Sequence, residues 1–306
     1  MKRLCKLTAL LLACLLLASC TGNGAGANAT HTFTDSTGHT VSVNGTPQRV
    51  AVLLSSFAEI WQSAGGEVAI TVGESVERGI CEQGVTLVDA GAGKTVNAEV
   101  LIAAAPDLVL LSADIPAQVE AAALLREAHI PVAELRVESF DDYLAALKLC
   151  TDLTGRTDLY DSLGTAQKAR IDALVSQAPL AGKRILFVRA GSTASSVKAK
   201  SSEQSFAAAM LTHLGATNIA DGAPLLLDGL SMEVILAEDP DYIYFTAMGD
   251  EDASRAFVSE MLTREEWRAL HAVKNGAVCY LPKELFHYKP NARWADAYEY
   301  LTSPIS

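Results

Sequence analysis

The sequence predicts an α/β protein made of two lobes bridged by one long helix. Three observations carry this. Strand and helix signals alternate through the first half of the 306-residue chain, give way to a purely helical stretch, and then resume. One stretch is also written twice. Residues 96–111 read VNAEVLIAAAPDLVLL and residues 230–245 read LSMEVILAEDPDYIYF, and at an offset of 134 they share Glu99/Glu233, Val100/Val234, Ala103/Ala237, Pro106/Pro240 and Asp107/Asp241. Two similar lobes produce such a repeat, whereas a single extended sheet does not.

The elements follow in order. RVAVLL (49–54) is a continuous apolar run of the kind that fills a strand buried on both faces. SFAEIWQSAGG (56–66) is a helix ending at glycines. VAITVG (68–73), DLVLLS (107–112) and IPVAEL (130–135) are further strands, with a helix over 116–128. Ser139 is a good N-cap for a helix reaching Gly155. Residues 156–178 then carry Leu159, Leu163, Ala166, Ile171 and Leu174 along a helix that would reach roughly 30 Å, about one domain diameter. After PLAGK (179–183), strands over 184–190 and 241–247 and around 273–282 alternate with a helix over 205–215, and a last helix spans about 291–301. The predicted organisation is a leader (1–19), a tether (20–31), a first lobe (32–155), the bridge (156–178) and a second lobe (179–306).

The leader is set apart from the fold. MKRLCK is basic, LTALLLACLLL is an apolar run too short to span a bilayer permanently, and LASC (17–20) follows. This resembles the bacterial lipoprotein signal, which implies cleavage before Cys20 and a lipid anchor on its thiol. TGNGAGANAT then reads as a flexible tether. Without the leader's three basic residues the chain holds 21 basic against 36 acidic residues, a formal charge of −15. Such a body has no counterion-release drive toward nucleic acid and no attraction to anionic lipid, but it suits a basic partner. Cys81, Cys150 and Cys279 remain in the body with no metal-ligand spacing; one disulfide is possible among them, and Cys150 and Cys279 read as small core residues.

In the repeat, Asn97 and Ser231 are N-cap types and place Glu99 and Glu233 in a first helical turn, where the dipole favours them; Pro106 and Pro240 stop the helix. Helix rules thus account for each glutamate alone, but not for its presence in two divergent halves. The paired stretches are similar to the matching motifs of the iron-chelate and cobalamin substrate-binding proteins of ABC importers. TFTDSTGHTVSVNGTPQRVAVL (32–53), SFAAAMLTHLGATNIAD (205–221) and LTREEWRALHAVKNGAVCYLP (262–282) extend the likeness over about residues 32–301. The resemblance implies two Rossmann-like α/β lobes of the helical-backbone, periplasmic-binding-protein type, with a metal chelate between them: iron–siderophore, corrinoid or haem. It implies no catalysis and no resident cofactor. It further implies that Glu99 and Glu233 dock on the two subunits of a permease dimer.

Ligands of open α/β sheets bind beyond the carboxyl ends of the strands. That rule selects Ser56 and Phe57 after the first strand, Arg78 after the second, and Asp114 after the third. In the second lobe it selects Arg189, Lys198 and Lys200, and then Phe286, His287, Tyr288 and Lys289. The basic residues suit carboxylates or phosphate on a ligand, and the aromatic ones suit a planar face. His287 or Tyr288 could reach an iron centre. Residues 293–294 (RW) read as packing. An exported hydrolase would need a nucleophile beside a base, and no histidine has such a partner in sequence. A metal-ion binder would need converging His and carboxylates, which the pattern lacks.

Overall fold

The structure is a computed structural model, and it describes residues 30–89, 96–191, 196–222 and 231–303. The leader, Cys20 and most of the tether lie outside the described residues. Among the described residues no helix is long and apolar enough to cross a membrane.

A hairpin of β1 (Thr30–Thr34) and β2 (Thr40–Asn44) opens the chain. Its turn is built on Asp35, whose carboxylate accepts from the Thr37 and His39 amides at 2.9 and 3.0 Å. Then come β3 (Val50–Val52), β4 (Val68–Thr71), β5 (Thr86–Leu87), β6 (Leu108–Ser112) and β7 (Val132–Leu135). They form a parallel sheet in the order β5-β4-β3-β6-β7. The second lobe holds β8 (Arg184–Ala190), β9 (Val197–Ala199), β10 (Thr217–Asn218), β11 (Tyr242–Ala247) and β12 (Val278–Tyr280). Its sheet runs β10-β8-β11-β12 in parallel, with β9 antiparallel on β8.

Alternate side chains of each central strand enter different layers, as a period of two requires. Ala51, Leu53, Val109 and Leu111 pack into one apolar layer of the first lobe, and Leu186, Val188, Ile243 and Phe245 into another of the second. The opposite faces, Val50, Val52 and Leu110 in one sheet and Ile185, Phe187 and Tyr244 in the other, belong to a single core that runs through both lobes.

The helix Phe140–Thr154 starts in a capping box between Ser139 and Asp142 and ends at Gly155 in the left-handed region. The bridge then runs as Thr157–Tyr160, a π-helical turn over Asp161–Thr165, and Ala166–Ser176. Gly164 sits in that turn because a Cβ there would come 2.9 Å from Leu144 Cδ2. Arg170 pairs with Asp296 and Glu299 at 2.9 and 2.8 Å, and Gln167 Oε1 accepts from the Ala295 amide at 3.1 Å. These contacts tie the bridge to the last helix, Trp294–Thr302.

The repeat is one structural unit built twice. Asn97 and Ser231 side chains accept from the amides of Val100 and Val234 at the starts of Ala98–Ala103 and Met232–Glu238. Ala105 (φ 46°) and Asp239 (φ 39°), again 134 apart, both end their helices in the left-handed region, just before a buried proline. The Asp107 carboxylate accepts from the Arg49 amide at 3.0 Å and the Asp107 amide donates to the Arg49 carbonyl. Asp241 makes the same pair of bonds with Arg184.

The three body cysteines are buried free thiols, which corrects the possible disulfide. Burial pushes the Cys150 thiol up to about 12 and the Cys279 thiol up to about 11.

Candidate binding site between the lobes

The facing carboxyl ends of the two sheets bring the basic residues together. In the first lobe, the helix Ser55–Ser63 starts beyond β3 and the helix Gly73–Glu77 beyond β4. Ser55 Oγ donates to Glu74 Oε2 at 2.5 Å, and Arg78 Nη1 donates to Ser55 Oγ at 2.8 Å. Arg78 Nη2 also lies 3.8 Å from Glu59 Oε2. The guanidinium is thereby held over the Tyr288 ring of the other lobe, its Cζ 3.8 Å from the ring centroid.

In the second lobe, Arg189 on β8 stands opposite Lys198 on β9. Lys200 follows two residues on, just past the end of β9, where its amide still donates to the Phe187 carbonyl of β8 at 2.9 Å. Burial holds the Lys200 ammonium below its usual range, and Arg189 and Lys198 lower it further. His287 is half-buried at the end of the helix Lys283–Phe286. Burial lowers its imidazole first, then Lys283, with Arg189 and Arg78 adding to the effect and Glu74 opposing it. Cations from both lobes therefore act on one ring within a strongly acidic chain.

Residues 287–291 reach across to the first lobe. Lys289 Nζ pairs with Glu138 at 2.9 Å and lies 4.5 Å from the centre of the Phe206 ring. The fully buried Asn291 (φ 50°) donates through Nδ2 to the Ser56 carbonyl at 2.9 Å and to Glu59 Oε2 at 3.0 Å. Burial pushes the Glu59 carboxyl up, against the pull of Asn291 and Arg78.

Five residues expected at the site are buried or engaged elsewhere. Phe57 and Phe286 are each 2% exposed and belong to the shared core, Phe286 against Tyr300, so neither offers a face to a ligand. Ser56 is buried, and its carbonyl serves Asn291. Lys289 is engaged with Glu138 and Phe206. Asp114 pairs with Arg136 at 2.7 Å. Lys283, Glu59, Glu74 and Asn291 enter the site without having been singled out in sequence. Of these, Lys283 lies in the same KELFHYKP run as His287 and was within reach of the strand-end rule. Trp294 is a core residue, edge-on to Phe140 and Phe206. Glu99 and Glu233 are exposed on the two repeat helices.

The family described as "Periplasmic binding protein" matches residues 50–285, more than three quarters of the sequence. The chain belongs to the periplasmic binding protein family. The family is one of extracytoplasmic binding proteins, not enzymes. No curated protein matches this periplasmic binding protein. Solved structures do. One is the siderophore-binding protein BauB bound to a complex of two acinetobactin molecules and ferric iron, with 16% identity, TM-score 0.72, and 91% of this chain and 99% of that one covered. A second is the vitamin B12-binding protein BtuF of Vibrio cholerae, with 17% identity, TM-score 0.67, and 85% and 97% covered. A third is the haem-binding protein RhuT from Roseiflexus sp. RS-1 in apo form, with 20% identity, TM-score 0.64, and 84% and 97% covered. At these identities the likeness establishes the two-lobed fold, while the cargo must be argued from the site.

Proposed function

We propose that this periplasmic binding protein is the lipid-anchored, extracytoplasmic solute-binding component of an ABC importer, and that it carries an anionic ferric chelate between its lobes. The observation that carries the reading is the grouping of Arg78, Arg189 and Lys283 about His287, with Lys198 and Lys200 beside Arg189, in a chain of net charge −12. Carboxylate or catecholate groups of a siderophore would pair with such cations. A corrinoid periphery of neutral amides gives such a cluster little to bind. Haem is the second reading. Its propionates are anionic, and the lowered His287 stays neutral at neutral pH, the state in which imidazole ligates a metal. Glu99 and Glu233 would serve as the two handles for the permease pair, and Cys20 as the acylated anchor before the tether. Residues 32–155 and 179–306 would form the lobes, and 156–178 the bridge.

The test is an absorbance scan of the detergent-solubilised full chain after incubation with ferric siderophores, haem and cobalamin in turn and removal of unbound ligand. Retained ferric charge-transfer absorption that is lost in the Arg189→Gln/Lys200→Gln variant is the expected result. A Soret band would make haem the cargo. Retention of cobalamin alone, or retention untouched by the double variant, would refute the anionic-chelate reading.

A further inference from the structure

We infer that Thr246 is a further recognition residue of the interlobe site, and that its hydroxyl donates to the same cargo oxygen, carboxylate or catecholate, that Arg189 holds. This rests on the anionic-chelate reading and adds to it a neutral contact that selects where the oxygen must lie.

Three of the described threonines are buried. Thr71 Oγ1 lies 2.9 Å from the Val52 carbonyl and 2.8 Å from Ser75 Oγ, and Thr151 Oγ1 donates to the Lys148 carbonyl at 3.0 Å. Thr246 is 3% exposed, and its hydroxyl oxygen is shut off from solvent without a partner. Valine has the same shape, suits a strand as well and carries no polar atom. A hydroxyl buried with its bond unmade lowers stability, so packing alone favours valine at this position.

Strand register supplies a reason for the hydroxyl. β8 and β11 are parallel, with Tyr244 against Phe187 and Thr246 against Arg189. Phe187 and Tyr244 enter the core shared by the lobes, and side chains two apart along a strand turn to one face. Arg189 and Thr246 therefore turn the same way, one step nearer the carboxyl ends. On its other side Arg189 is paired with Lys198 of β9. Lys198, Arg189 and Thr246 thus form one row across three strands, with neighbours about 4.8 Å apart. Arg189 also acts on the His287 ring. The row lies where strand order reverses, because the chain runs from β8 to β10 on one side and comes back to β11 on the other. Such a reversal is where ligands of open α/β sheets bind.

The row sets a neutral donor beside charged ones. A charged oxygen uses both kinds, since the guanidinium pairs with it and the hydroxyl gives it a second, directed bond. The hydroxyl has no pull at a distance, so it discriminates by position, and an analogue without an oxygen there leaves it unpaired.

The experiment uses the detergent-solubilised full chain, with ferric citrate and the ferric complex of a tricatecholate siderophore as probes, titrated at several salt concentrations. Thr246→Val should weaken binding of the retained probe about tenfold at every salt concentration, because it removes a hydrogen bond and no charge. Arg189→Gln should flatten the salt dependence as well. Thr246→Ser keeps the hydroxyl and should bind like the parent. Without cargo, Thr246→Val should melt at or above the parent temperature, because the group it removes has no partner. A lower melting temperature for the unloaded valine variant would show the hydroxyl already paired, within the fold or to an ordered water, and would overturn the inference. A valine variant that binds like the parent, or a serine variant no better than the valine one, overturns it too, while the anionic-chelate reading stands. If the parent retains neither probe, the chelate reading itself fails, and this inference with it.

Discussion

Asn291 offers the sharpest test of how the lobes are held at the site. Its side chain makes two hydrogen bonds into the first lobe, one to the neutral Ser56 carbonyl and one to the Glu59 carboxylate, from a backbone at φ 50°. Asn291→Ala loses a neutral bond of about 1 kcal/mol and a charged one of about 2. An alanine in the left-handed region adds about 1 more. Against this, Asn291 Oδ1 is buried without a partner, and removing it returns about 1. The expected net loss is therefore about 3 kcal/mol. Asn291→Gly loses the same bonds without the strain and should be about 1 kcal/mol more stable than the alanine variant. Asn291→Asp sets a second carboxylate against Glu59 and should be the least stable of the three at neutral pH. The assay is urea unfolding followed by tryptophan fluorescence, since Trp61 and Trp294 are both 1% exposed. An alanine variant within about 0.5 kcal/mol of the parent, or a glycine variant less stable than the alanine one, would refute the account of this contact.

Other consequences follow from the same coordinates. A Cβ on Gly66 would meet the Trp61 ring at 2.1 Å, and that ring is pinned by its bond to the Glu67 carbonyl; Gly66→Ala should cost about 3 kcal/mol, measured by thermal unfolding. Arg126 stands 2.6 Å from Glu134 and 3.7 Å from Asp35, both buried, so Arg126→Met should destabilise by about 3–5 kcal/mol in urea titration. Burial alone would raise the Asp35 carboxyl, but hydrogen bonds from Thr37, Glu134 and His39 hold it below its ordinary 3.8. Its stabilisation is thus complete above 3.8 and lost as pH falls through the lower folded value, and Asp35→Asn should remove that part of the acid limb. The His287 imidazole lies below its ordinary 6.5, so its protonation costs stability as pH falls below 6.5. A bound anion would raise it again. Calorimetry in buffers of different ionisation enthalpy should show proton uptake on siderophore binding, and His287→Gln should reduce it; equal uptake by parent and variant would refute the linkage.

Much of this was legible because the central strands are continuous apolar runs. Residues 49–54, 107–112 and 184–190 could be placed with no partner in view, and β3, β6 and β8 lie within them. The hairpin β1–β2 was not drawn as an element, since its residues alternate between exposed and covered and carry no long apolar run. Phe57 and Phe286 show a different failure. The strand-end rule selects segments, but helical geometry decides which side chains in them turn toward the core and which do not. Phe57, Ile60 and Trp61 lie at i, i+3 and i+4 and are all buried, a spacing that would have assigned Phe57 to the core. The partners of Lys289 and Asn291 were beyond reach for another reason. Glu138, Ser56 and Glu59 belong to the other lobe, and only the three-dimensional packing of residues 287–291 brings them together.

That short segment would link cargo recognition to lobe geometry. Tyr288 under Arg78, Lys289 on Glu138 and Asn291 on Ser56 and Glu59 are all cross-lobe contacts, and His287 at its head faces the cation cluster. Arg78 belongs to both sets of interactions. An anion that draws its guanidinium off Tyr288 changes one cross-lobe contact, while Asn291, the shared core and the bridge on Asp296 and Glu299 keep the lobes in register. Such a body is expected to adjust through side chains and small lobe movements rather than a wide hinge. A fixed spacing between the lobes is also what recognition through two separate faces demands, because a pair of handles gains over one only when both can engage at once. The stiff backbone that would limit closure around a cargo is thus the same feature that would let a two-fold partner read both lobes together.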